Sequence, residues 1–247
     1  RISHENLRLR DAQWLGDFER WFARQAGLAI PAGQAAPPPM FTPYTLRGTT
    51  LKNRIVVSPM AQYSAVDGVP SDYHLVHLGA RAMGGAGLVF AEMACVSPEG
   101  RITPGCPGLY TAEQQAGWTR IANWIHTHSD AKFALQIGHA GAKASTCVPW
   151  EGGGIDQPLP SGNWPLLAAS SYQYIEGVSQ SSQAMTRADM DMVTAQFVAA
   201  TRMAAEVGAD WLELHCAHGY LLSSFISPLT NQRSDDYGGS LKNRSRL

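Results

Sequence analysis

The sequence predicts an α/β protein of the (β/α)8 TIM-barrel type, with about the first four βα units present in this chain. Three observations point there. Short apolar runs alternate with stretches of helical periodicity, the pattern of a parallel sheet with right-handed crossovers. Polar residues Ser58, Gln136 and His215 fall at or just beyond the carboxyl ends of the apolar runs, which is the catalytic face of such a barrel. In the last run, period-two alternation puts Glu213 and His215 on one side and Leu212 and Leu214 on the other. The polar pair then points into the barrel mouth and the leucines toward the helices. An open doubly wound sheet fits the alternation too, but the placement of the polar residues favours the barrel.

In chain order, residues 1–28 read as a helix whose Trp14, Phe18, Trp21 and Phe22 recur at helical spacing. A low-charge Pro/Ala segment over 29–39 has the composition of a semi-rigid linker. Ile55–Val57 is the first strand candidate. Ser71 can cap a helix with Leu75, Leu78, Gly79 and Ala82 on its apolar face, ended by Gly84-Gly85. Leu88–Ala91 is the second strand. Thr111 to Gln114 has the form of a capping box, continued by Trp118, Ile121, Ala122 and Ile125. Phe133–Ile137 is the third strand, followed by a Gly/Pro/Ser-rich excursion from His139 to about Gln183. Thr186 and Asp189 then open a helix, with Met185 able to staple onto Met190 and a stripe of Val193, Phe197, Ala200 and Ala204. Asp210–His215 is the fourth strand.

Composition narrows the function classes. The chain has 247 residues, 45% of them hydrophobic, with 19 Lys+Arg against 20 Asp+Glu. That balance gives no nucleic-acid footprint and no polybasic membrane patch. No apolar run approaches the roughly 20 residues that span a bilayer, and the polar start is unlike a secretory signal. Cys95, Cys106, Cys147 and Cys216 lack CxxC spacing, so a reducing cytoplasm is expected.

The chemistry centres on His215-Cys216-Ala217-His218-Gly219-Tyr220. A histidine ending a strand, with another three residues on, places two imidazoles over one spot. Both can donate to a carbonyl or phenolate oxygen and stabilise charge that builds on it. Tyr220 offers a phenol as proton donor. Two histidines supply only two metal ligands and no HExxH pattern is present, so no metal is expected. His74, His77, His126 and His128 read as ordinary satisfied histidines.

Four ordered segments carry a family resemblance: Ser58–Ser64 (SPMAQYS), Gln136–Gly141 (QIGHAG), Glu213–Tyr220 (ELHCAHGY) and Ser227–Ser240 (SPLTNQRSDDYGGS). Over Met40–Leu247 the chain resembles the Old Yellow Enzyme family of FMN-dependent oxidoreductases, with NADH or NADPH as reductant and a small-molecule enone-type substrate. The resemblance implies a flavin resting on the backbone of Ser58, Pro59 and Met60, with Ala61 and His215 also lining it. It implies that Gln136 bonds the pyrimidine edge and that Met93 lies near N5. His215 and His218 match the substrate-oxygen pair, Tyr220 the proton donor and Tyr63 a substrate-pocket tyrosine. Three positions depart from the pattern. Ala61 stands where many relatives have Cys or Thr, Met93 where a smaller residue is usual, and Ala142 where Arg is common.

A finer resemblance joins Asn6–Asp11, the proline segment, Pro149–Gly152 and Gly162–Leu166 to the fused salicylyl-CoA 5-hydroxylase/oxidoreductase proteins. It implies that 1–28 is the helical tail of an upstream flavin monooxygenase-like domain in the same polypeptide. Residues 29–39 are then a linker and 40–247 the amino-terminal half of an FMN-binding barrel, with an aromatic acyl-CoA as substrate. A free-standing reductase with an extra helix is the other reading. With four of eight strands, and a phosphate site expected around strands seven and eight, this chain alone is expected to bind FMN poorly. It is also expected to aggregate or to pair, as in a homo-oligomer. The functional alternatives are a non-catalytic structural or interaction fragment of a fused monooxygenase and, more remotely, a metal-dependent barrel hydrolase.

Overall fold

The computed structural model describes residues 11–151 and 153–247. Helix α1 spans Ala12–Gln25; the part of the expected first helix before Asp11 lies outside the described residues. The Asp11 carboxylate caps it, accepting from the Gln13 and Trp14 backbone N–H groups at 3.0 Å. Trp14, Phe18 and Trp21 stack along one face, and Trp14 remains 62% exposed. The helix is tied down beside that stack. The Arg54 guanidinium lies 5.2 Å from the Phe22 ring centroid and 5.0 Å from that of Tyr44, and Arg20 donates to the Gln34 carbonyl.

A hairpin of β1 (Tyr44–Leu46) and β2 (Thr49–Leu51) precedes the main sheet. The chain then runs β3 (Val56–Val57), α2 (Asp72–Met83), β4 (Leu88–Cys95), α3 (Ala112–His128) and β5 (Lys132–Gly138). The excursion to Gln183 carries a two-residue pair, β6 (Leu167–Ala168) and β7 (Gln183–Ala184). Next come α4 (Arg187–Val207), β8 (Trp211–Leu214) and the short helices α5 (Leu221–Ile226) and α6 (Leu241–Arg244). The sheet order is β3-β4-β5-β8, parallel throughout. Strand order follows chain order without reversal, and α2, α3 and α4 pack side by side on one face. That is the winding of a barrel wall, whereas a doubly wound sheet reverses its strand order.

The main core lies between sheet and helices. Val89, Ala91, Ala94, Phe133, Leu135 and Ile137 meet Leu78, Ala82, Trp118, Ile121, Ile125, Ala200 and Ala204. Each large side chain fully buried there contributes roughly 1.5–3 kcal/mol. Strand β4 runs past the expected Ala91 to Cys95 because its residues stay buried throughout, Glu92 included. It also carries a bulge. Phe90 pairs with Ala134 and Met93 with Gln136, so Ala91 and Glu92 together face Leu135. The bulge resets the alternation: Leu88 and Phe90 point inward before it, Met93 and Cys95 after it.

The caps of α2 and α4 form as the residue types predict. Ser71 and Thr186 accept from helix N–H groups, and Asp189 reaches back to Thr186 at 2.8 Å. Met185 and Met190 are buried in one cluster. Two expectations fail. Thr111 caps α3, but Gln114 accepts from the Tyr110 N–H rather than closing a box on Thr111. Leu212 packs on the helix-side core, yet Leu214 is 52% exposed, because β8 is an edge strand and no helix among the described residues covers its end.

Candidate active site

The site forms where β5 and β8 end. The His215 N–H donates to the Ile137 carbonyl at 3.0 Å, prolonging the sheet by one bond. The chain then reverses through His218 (φ 58°) and Gly219 (φ 76°), both left-handed, a conformation costly for a residue with a Cβ. Tyr220 N–H closes the turn on the Ala217 carbonyl at 3.1 Å, and Leu221 N–H docks it on the His139 carbonyl at 3.0 Å. Three rings converge as a result. His215 and His218 have centroids 4.9 Å apart, His215 and Tyr220 4.6 Å, and His218 and Tyr220 6.0 Å.

Their protonation follows from their neighbours. Ala217 N–H donates to His215 Nδ1 at 3.2 Å, so that nitrogen is an acceptor and Nε2 carries the proton. Burial first, then the nearby His218, hold His215 below the ordinary imidazole value, against an opposing pull from Glu213. His215 is therefore a neutral donor at neutral pH. Burial, reinforced by Tyr63, pushes the Tyr220 phenol well above the usual tyrosine range, so it keeps its proton. Burial and then Cys106 raise Tyr63 to about 12.

One layer lower, Met93, Gln136 and Glu213 stand side by side on three adjacent strands. Gln136 is buried and its Nε2 donates to Glu213 Oε1 at 2.5 Å. Met93 folds against Gly138, where a Cβ would come within 2.4 Å of its sulfur, so the missing side chain makes room for the larger one. Ser58, Pro59, Met60 and Ala61 continue from β3 as irregular chain, with Ser58, Met60 and Ala61 exposed. Tyr63 (φ 50°) borders a cavity of about 620 Å³ whose walls include Trp150, Pro104 and Glu151. The Tyr63 and Trp150 rings meet edge to face at 6.1 Å.

The structure thus gathers His215, His218 and Tyr220 into one cluster and sets Met93 beside Gln136 beneath it. Sequence reasoning missed Lys143, whose Nζ lies 5.5 Å from the Tyr220 ring centroid and 3.4 Å from Asp156. Its place directly after the Gln136–Gly141 motif was the available signal. It also missed Glu92, which hides inside an otherwise apolar strand. Among the described residues no three His, Cys, Asp or Glu side chains converge as a metal site, and no helix is long and apolar enough to cross a membrane.

Fold and site together define a parallel α/β protein of barrel type, with an imidazole pair and a phenol over its strand ends. The chain belongs to the NADH:flavin oxidoreductase / NADH oxidase family, whose sequence pattern matches residues 39–247. It is 41% identical over 210 residues to an NADH:flavin oxidoreductase of Gibberella zeae, covering 84% of this chain and 51% of that protein. It is 39% identical to an NADPH dehydrogenase of Halalkalibacterium halodurans, covering 84% and 56%. Among solved structures it is similar to morphinone reductase in complex with tetrahydroNAD, with TM-score 0.73 and 27% identity over 85% of this chain and 58% of that one. The chain spans about half the length of the curated relatives it matches.

Proposed function

We propose that the protein is an FMN-dependent NAD(P)H oxidoreductase of the ene-reductase type. Its substrate class is an activated alkene or dearomatised ring conjugated to a carbonyl. The convergence of His215, His218 and Tyr220 carries this reading: two imidazoles over one spot and a phenol that stays protonated.

The residues present fit a flavin. A neutral isoalloxazine needs an amide partner and a flat approach; Gln136 is a buried amide on β5, and Ser58, Met60 and Ala61 lie exposed beyond the end of β3. Met93 folds back on Gly138 instead of standing free. Ser58, Pro59, Met60, Ala61, Met93, Gln136 and His215 would hold FMN, which when bound supplies hydride drawn from NADH or NADPH. The chain's own residues do the rest. His215 Nε2–H and His218 hold the substrate carbonyl and stabilise charge on its oxygen. Tyr220 delivers a proton, and Tyr63 lines the pocket that receives the body of the substrate. We extend the reading to an aromatic acyl-CoA substrate, a homo-oligomer, and residues 1–28 and 29–39 as the tail and linker of an upstream monooxygenase domain. The partial likeness of Pro149–Gly152 and Gly162–Leu166 to the fused proteins supports it.

The test uses the whole gene product with added FMN, NADPH and cyclohex-2-enone. Wild type should show flavin absorbance perturbed by binding and should consume enone. His215→Ala with His218→Ala should retain flavin absorbance through the remaining contacts of Ser58–Ala61, Met93 and Gln136, and should lose turnover. Absence of flavin binding, or turnover untouched by the double change, would overturn the assignment.

A further inference from the structure

We propose that His74 and Glu92 are a buried positioning pair that fixes the Gln62–Tyr63 turn, and through it the pocket face of Tyr63. The inference rests on the reading of Tyr63 as a substrate-pocket residue. His74 Nε2 lies 3.1 Å from Glu92 Oε1, with the two side chains 2% and 3% exposed. Neither atom meets a hydrogen-bond partner among the described residues, so their 3.1 Å approach is the one polar contact each makes there. Ser71 N–H donates to His74 Nδ1 at 3.0 Å, so the ring's one remaining proton sits on Nε2, the nitrogen beside the carboxylate.

The second carboxylate oxygen leaves the pair. Glu92 Oε2 accepts from the Gln62 N–H at 2.8 Å and the Tyr63 N–H at 3.4 Å. Tyr63 is held there in the left-handed region, which a tyrosine seldom occupies unless its surroundings impose it. The surroundings close on it from three sides. Helix α2 adds Tyr73, whose hydroxyl donates to Gln62 Oε1 at 2.8 Å. Gly105 presses from beyond, where a Cβ would lie 2.4 Å from the Tyr63 carbonyl oxygen. The β4 bulge, made of Ala91 and Glu92, accommodates the carboxylate within an otherwise apolar strand.

Stability alone does not explain the pair, since well-packed apolar residues commonly replace buried ionisable pairs without loss. The chain instead sets one oxygen against a helix and spends the other on a strained turn. That turn follows directly on Ser58–Ala61, so the same contact sets where the proposed flavin-side loop ends and the substrate side begins.

The test begins with Glu92→Gln. Glutamine has one acceptor oxygen, and its NH2 would meet the His74 Nε2–H proton to proton. His74 cannot switch tautomer while Ser71 N–H occupies Nδ1. Hydrogen exchange at the Gln62 and Tyr63 amides should accelerate about tenfold or more, the scale of one lost hydrogen bond, with α3 and β5 protection unchanged. In the FMN-loaded gene product, the Kd for 4-hydroxybenzaldehyde, read from flavin absorbance, should rise about tenfold. The double variant His74→Gln/Glu92→Gln lets the amide oxygen at 74 accept from the NH2 at 92, giving up the Ser71 N–H contact at the helix start, and should recover most of both effects. Unchanged exchange in Glu92→Gln would overturn the pair's hold on the turn. Accelerated exchange with an unchanged Kd would overturn its link to the pocket. Failure of wild type to bind flavin or the aldehyde would overturn the functional reading instead, while the exchange data still decide the pair.

Discussion

The two faces of the four-stranded sheet are built from the same strands and do opposite work. Toward the helices, β4 and β5 present Val89, Ala91, Ala94, Phe133, Leu135 and Ile137, all apolar and sealed. Toward the barrel interior they present Phe90, Met93 and Gln136, joined by Glu213 and, above them, His215. This inner face opens on a cavity of about 410 Å³ lined by Leu51, Phe90, Trp211 and Glu213. Alternate residues on one strand thus serve the packed core and, in the proposed function, the chemistry. A substitution should disturb one property and spare the other.

The strongest way to break that division is Phe133→Ala on the helix side. It should cost about 3–5 kcal/mol of unfolding free energy, read by urea denaturation, while a refolded fraction keeps its affinity for a flavin-site ligand. Next is His215→Ala on the inner side. Turnover should fall about 10²–10³-fold with a urea midpoint close to wild type; a large drop in midpoint would show that the faces are not separable.

The third prediction concerns pH. Burial depresses His139 to about 4, and its Nδ1 accepts from the Gly141 N–H at 3.1 Å. The unfolded chain, with an ordinary imidazole near 6.5, binds the proton first as pH falls. Stability should therefore be full above about pH 6.5 and decline toward pH 4, by roughly 3 kcal/mol in all. His139→Asn, which keeps an acceptor, should flatten that slope; an unchanged slope would assign it to other groups. The smallest effect belongs to Thr186→Ala, which removes the α4 cap and should cost about 1 kcal/mol with no change in turnover.

The outer face was the legible one. Helix stripes such as Trp118, Ile121 and Ile125, and caps such as Ser71 and Thr186, act through contacts close in sequence, so residue spacing reports them. The histidine cluster was legible for the same reason, since six consecutive residues carry it. What remained hidden depends on partners far along the chain. Glu92 acquires meaning only from Gln62, thirty residues earlier, and from His74 on the preceding helix α2. His74 read as an ordinary buried histidine because its tautomer is set by Ser71 and its target by tertiary packing. Lys143 stayed unseen because Tyr174 and Asp156, its neighbours, sit in a loop excursion without periodicity. Leu214 was misjudged because alternation says which way a side chain points and not whether anything waits there.

The β4 bulge makes this sheet sensitive to parity. Straightening the bulge with both Ala91 and Glu92 kept in the ladder would make every position beyond it trade sides. Met93 and Cys95 would turn to the helices, while Ala94 and Val96 would line the interior. Deleting one of the two residues removes the bulge yet leaves Met93 and Cys95 facing inward, so it should be the milder change. Deleting both reverses the frame and should be far more damaging. The strand therefore has a reading frame of two, and the bulge is where that frame is set for the upper half of the site.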